Sequence, residues 1–186
     1  MPWQIPASSG QATCAWLKAN GFGRLKVKGF GVVKSYFKDA GGEILDCEPP
    51  RLLRVTWVMG EGPASEVEVR LAAGDDAETV LELAHTAVVD PAFWTKYGPG
   101  AVGVGWDLGL LGLFLYLSTG RDRPEDPAAW AMNQDAREFI TRSSEAWGVA
   151  YAQAGASEAE AAAAVAETTA FYLPPLPGGG PEGGAA

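Results

Sequence analysis

From Gly23 to Ala87 the chain runs in short stretches of alternating, β-branched and aromatic residues: "RLKVKGF", "VVKSYFK", "GEILDCE", "LLRVTWVM", "SEVEVRLA" and "TVLELAHTA". Gly-, Pro- and Asp-rich breaks separate them, among them "DAGG", "EPPR", "GEGPA" and "AGDDAE". Such runs predict strands. Breaks this short predict antiparallel pairing, because a parallel crossover needs about a dozen residues or more. Alternation also sorts the side chains. Val67, Val69 and Leu71 share one face and Glu66, Glu68 and Arg70 the other; Leu81, Leu83 and His85 share a face; with Arg54 outward, Leu53, Val55, Trp57 and Met59 point inward. One face of the sheet is therefore apolar and needs a cover.

The period changes after residue 90. "VVDPAFWTKYGPG" reads as a turn-rich connector, and Val104 to Ser118 as a helix with Trp106, Leu110, Leu113, Phe114 and Leu117 on one stripe. Gly105, Gly109 and Gly112 within it each cost about 1 kcal/mol of helix propensity, and their spacing predicts close approach to a neighbouring backbone. Val102 to Leu117 is apolar apart from Asp107. It falls short of the roughly 20 residues of a membrane span, so a buried helix is expected. Beyond the charged linker "GRDRPEDP", Asp126 and Pro127 have the form of an N-cap and first helical residue. The helix they open is expected to run to Gly155, with Phe139, Ile140, Trp147 and Tyr151 on its apolar side. Ser157 and Glu160 have capping-box spacing and begin a last helix that Pro174 and Pro175 stop. The tail "LPGGGPEGGAA" is low-complexity and expected to be disordered.

Composition narrows the partners. With 23 acidic against 14 basic residues the net charge is −9, which disfavours nucleic acid and an anionic membrane surface. Cys14 and Cys47 lack metal-type spacing and predict free thiols in a reducing compartment. No signal-peptide pattern opens "MPWQIPASSGQ", so a cytoplasmic location is expected.

Candidate chemistry is sparse. "GPGAVGVG" has no following Lys-Ser or Lys-Thr and no βαβ context, which removes the P-loop and dinucleotide readings. His85 is the only histidine. A two-histidine metal site is excluded, leaving either a half-buried histidine bonded to a backbone carbonyl or a polar anchor in a cavity. Asp75 and Asp76 suit a hairpin turn, and Ser143 and Ser144 lie in a helix without a nucleophile-elbow context. No catalytic residue, metal ligand or cofactor is assigned.

The order "GEIL…EPPRLLRVTW…VEVRLA…LELAHTA…GWDLGLL" resembles the SRPBCC or START-like superfamily, and within it bacterial proteins of the activator-of-heat-shock-protein-90-ATPase homology type. The resemblance covers about residues 23–173. It implies an α+β helix-grip fold, an antiparallel sheet wrapped on one long helix, with a cavity between them and two appended C-terminal helices. The expected organisation is an irregular segment 1–22, a START-like domain 23–120, a helical pair 121–174 and a tail 175–186. The family's N-terminal strand and helix pair, with its V-W-x-A-x-T-D-P and R-W-F patterns, is missing or replaced here. The resemblance implies a small apolar or amphipathic ligand, with Val55, Trp57, Val67, Val69, Leu81, Leu83, His85, Trp106, Leu110 and Phe114 as candidate liners. An alternative is a protein-interaction module, co-chaperone-like or regulator-associated, using Trp130, Trp147 and Tyr151 as a partner surface or forming a homodimer. A third is a cyclase- or hydratase-like enzyme resting on His85 with Tyr97 or Asp107.

Overall fold

Turn chemistry and alternation place strands on four of the expected runs, "GEILDCE", "LLRVTWVM", "SEVEVRLA" and "TVLELAHTA", and a further two-residue strand falls in the expected break "DAGG". The computed structural model describes residues 40–59, 61–75, 78–120, 130 and 133–173. The expected strands "RLKVKGF" and "VVKSYFK", the segment 1–22, Cys14, the Asp126–Pro127 helix start, Asp76 and the tail lie outside the described residues. The chain is α+β, an antiparallel sheet followed by helices. Residues 40–88 and 89–173 fall into two compact units, so the long helix at Gly100 groups with the helices that follow it.

The sheet contains β1 (Ala40–Gly41), β2 (Ile44–Glu48), β3 (Leu52–Met59), β4 (Ser65–Ala73) and β5 (Thr79–Thr86). β3, β4 and β5 form a meander, and β1 and β2 both pair with β3. Ala40 stands opposite Met59 and Ile44 opposite Val55, so β1 and β2 lie on the same side of β3 and the sheet is four strands wide among the described residues. The arch between them is held by Thr56. Its backbone N–H donates to the Glu43 carbonyl at 2.9 Å, and its Oγ1 accepts from the Glu43 N–H at 2.7 Å. Gly42 lies so close to this strand that an added Cβ would stand 1.7 Å from the Thr56 carbonyl oxygen. Only glycine fits there.

The helices described in full in the second unit are α1 (Pro91–Tyr97), α2 (Gly100–Thr119), α3 (Gln134–Gln153) and α4 (Glu158–Tyr172). α1 occupies what the sequence pattern assigns to a connector. Asp90 caps it by accepting from the N–H groups of Ala92 and Phe93, with Pro91 in the first turn. α4 opens on the expected capping box, Ser157 with Glu160. α3 packs against both α2 and α4, and α1 against α4. Val104, Leu108, Ile140 and Tyr172 form the core, with Trp130, Phe139, Trp147 and Leu173 around it.

Close approach in this unit occurs at glycines that the sequence pattern did not single out. An added Cβ on Gly103 would lie 2.1 Å from the Trp147 ring, and one on Gly100 would lie 2.5 Å from Thr168 Oγ1. Gly112 faces open space. The helix is also longer than its apolar run. At 20 residues it is long and apolar enough to cross a membrane by length and composition, so length alone does not decide against a span. Its N-terminal half instead supplies core residues, Val104 and Leu108 among them.

Two alanine substitutions on one helix should therefore move stability in opposite directions. Gly103→Ala is expected to cost about 1–3 kcal/mol through overpacking against Trp147. Gly112→Ala should gain up to about 1 kcal/mol from helix propensity. Urea unfolding of both variants measures the contrast, and equal effects would refute the packing assignment.

Candidate functional site

The registers bring the strand candidates onto one face. Val55 stands opposite Val67, and Val67 opposite His85; Leu53 stands opposite Val69, and Val69 opposite Leu83; Leu71 stands opposite Leu81. Val55, Trp57 and Val67 are 4%, 7% and 3% exposed, Val69, Leu83 and His85 are half-buried, and Leu81 is exposed at the far end. All seven strand candidates thus share this face, joined by Ile44 and Cys47 on β2. The opposite face is charged. Arg54 stands across from Glu68 and Arg70 across from Glu82, and Arg70 Nε lies 2.7 Å from Glu68 Oε1. Exposed pairs of this kind contribute at most about 1 kcal/mol; they keep that face in water.

One polar cluster interrupts the apolar face. Ser65 Oγ donates to the Trp57 carbonyl at 2.8 Å and stands 2.8 Å from His85 Nε2. A hydroxyl has one proton, and here it goes to the carbonyl, so Nε2 of His85 is the donor to Ser65. The cluster ties β3, β4 and β5 together at the end of the face where Trp57 is buried. Burial pushes the His85 pKa below its usual value, consistent with a neutral imidazole. Ser65, a residue that sequence reasoning did not single out, links His85 to the Trp57 carbonyl. No sequence spacing marks a partner 20 residues away.

The three helix candidates belong to the second unit. Trp106 is half-buried on α2; Leu110 and Phe114 line a groove between α2 and α3 with Leu111, Phe139 and Arg142. The groove is mostly apolar, open to solvent and about 510 Å³ in volume. Asp107 and Ser143 also line it, and they join the two helices. Asp107 Oδ2 accepts from Ser143 Oγ at 2.6 Å and from Trp147 Nε1 at 2.9 Å.

Other candidates are committed to packing. Trp147 lies on Gly103, Tyr151 meets Gly98 and Trp94, and Trp130 lies against the core. The expected partner surface is therefore intramolecular. Tyr97 packs edge-on to Phe171, and Ser144 Oγ donates to the Ile140 carbonyl. Cys47 is disulfide-bonded rather than a free thiol, which removes the thiol argument for a reducing compartment. Among the described residues no group of three or more His, Cys, Asp or Glu side chains could hold a metal ion.

The arrangement defines an α+β protein with one apolar sheet face carrying a Ser–His pair, and a separate helical unit with an apolar groove. It is similar in part to CalU16 from Micromonospora echinospora. The crystal structure of CalU16 is 33% identical, with a TM-score of 0.43 over 59% of this chain and 57% of that one. The solution NMR structure is 31% identical, with a TM-score of 0.46 over 63% and 62%. The chain spans about three-fifths of the length of CalU16. No family model and no curated protein match the chain.

His85 makes the sheet's pH response assignable, since the chain has no other histidine. Its folded pKa lies below the unfolded value near 6.5. The unfolded chain therefore takes up a proton first as pH falls, and the stabilisation is present above pH 6.5 and lost as pH falls through the folded pKa. Unfolding free energy measured at successive pH values should decline just below pH 6.5 in the natural chain. In His85→Gln that step should vanish; its persistence would assign the titration elsewhere.

Proposed function

We propose that the protein binds a small apolar or amphipathic molecule in the manner of START-like proteins, against the apolar face of the sheet. The observation that carries this reading is the face itself. Val55, Val67, Val69 and Leu83 form paired apolar rows across three strands, ending at the one polar cluster, Ser65 with His85. A mostly apolar surface with a few placed polar groups is the usual make-up of a ligand pocket. A neutral imidazole at its end suits a ligand with a hydroxyl or carbonyl on an otherwise apolar body, because neither partner then buries a charge.

A protein-interaction role, co-chaperone-like or regulator-associated, is the second reading. It is favoured by the C-terminal end of α2, where Phe114 is 64% and Leu117 74% exposed, with Leu115 and Tyr116 exposed between them. The kinship with activators of the heat-shock-protein-90 ATPase belongs to this reading and rests on the sequence resemblance.

Native mass spectrometry of the freshly purified chain tests the first reading. A discrete adduct lost on denaturation is expected, together with binding of an anilinonaphthalene dye that weakens about tenfold, or about 1.4 kcal/mol, in Leu83→Gln. A ligand-free chain whose dye binding is untouched by Leu83→Gln would sink it. A ligand-free complex with a reproducible protein partner would favour the second.

A further inference from the structure

The groove between α2 and α3 is a second candidate site, built from other residues than the sheet face and independent of the reading above. Asp107, Leu110, Leu111 and Phe114 follow one another along α2 at helical spacing, and Phe139 and Ser143 lie one turn apart on α3. Because Asp107 bonds Ser143, the polar lining gathers at one end and the Phe114 ring lies seven residues away, or about 10 Å along the axis. The groove thus has a polar end and an apolar body, and its volume of about 510 Å³ suits a small organic ligand.

Charge selects the ligand's head. Asp107 gives Oδ2 to both of its donors, Ser143 Oγ and Trp147 Nε1, which fix the carboxylate in place. Oδ1 receives no donor among the described residues. The only cation on the rim, among the described lining residues, is Arg142, and its guanidinium is paired with Glu138 at 2.7 Å. A fixed carboxylate oxygen beside an apolar wall, with the nearby cation already balanced, is complementary to a hydrogen-bond donor that carries positive charge. Charge-assisted bonds of this kind are roughly twice as strong as neutral ones. An anionic head would meet Asp107, and among the described lining residues no unpaired cation offsets it.

We propose that this groove binds amphipathic amines: an ammonium head on Asp107 Oδ1, and an aromatic or short aliphatic body of about 10 Å over Leu110, Leu111, Phe114 and Phe139.

The test is isothermal titration of the full-length chain with naphthylethylamine, and with naphthylethanol and naphthylacetate as neutral and anionic counterparts. The amine should bind at least about tenfold more tightly than either. Asp107→Asn keeps an oxygen for Ser143 and Trp147 but removes the charge. It should abolish the amine's advantage over the alcohol. Leu111→Gln should weaken all three, and Leu83→Gln on the sheet should weaken none, which separates this site from the sheet face. Should Asp107→Asn fold poorly, backbone amide shifts of the natural chain on adding the amine should cluster at residues 107–114 and 139–143. The proposal is overturned if the acetate binds as tightly as the amine, or if folded Asp107→Asn keeps the amine's advantage. Amide shifts lying elsewhere would overturn it too, as would a dimer that must dissociate before the amine binds, because a second copy would then be the groove's occupant.

Discussion

The helical unit depends on the seat of one indole. The Trp147 ring lies where a side chain on Gly103 would have to be, and its Nε1 donates to Asp107, one turn further along the same helix. Two contacts of different kinds thus fix α3 on α2. The ring fixes the distance, since any Cβ at residue 103 would push it away, and the indole N–H fixes register and rotation. Ser143, one turn from Trp147, donates to the same oxygen and repeats the constraint. A buried Trp normally finds a partner for its N–H, and Asp107 serves here. The consequence extends past packing: the carboxylate that anchors the helices is held in one orientation beside the groove.

Much of the sheet was legible because strands have few degrees of freedom. "LLRVTWVM" is β3 residue for residue, and β4 and β5 differ from their runs by one residue each. Alternation then assigns faces with no further information, as the burial of Val55, Trp57 and Val67 bears out. Helix α1 was missed although Asp90–Pro91 carries the same cap signal that was read at Asp126–Pro127. Its three aromatics in seven residues look like a connector until Tyr97 meets Phe171 and Trp94 meets Tyr151. Those contacts cross more than 50 positions of sequence, and local pattern has no access to them.

Helix α2 defeats periodicity for a different reason. A stripe identifies a buried face only when the remaining faces are polar, and α2 is apolar on all sides, with Asp107 its only charged residue. Any selection of residues at helical spacing then looks like a core. Phe114 and Leu117, placed on the stripe, are largely exposed, whereas Val104 and Leu108, which were not, are buried. Among the glycines, Gly112 misleads similarly. Their spacing states that close approach is allowed, but the neighbour decides which one is used, and Trp147 chose Gly103 while Gly112 meets open space.

The two candidate sites differ in the charge they tolerate, and the difference follows from how each polar group is held. On the sheet, His85 donates to a hydroxyl that already serves a carbonyl, and burial keeps the ring neutral. A charged ligand there would lose its hydration with no opposite charge among the described residues of that face to compensate it. In the helical groove the carboxylate is fixed by donors on one oxygen, and the other receives none among the described residues. A cation there replaces water with a placed counter-charge, and the chain's net charge of −9 adds to the attraction. Neutral apolar molecules and amphipathic cations should thus sort to different units of the same chain.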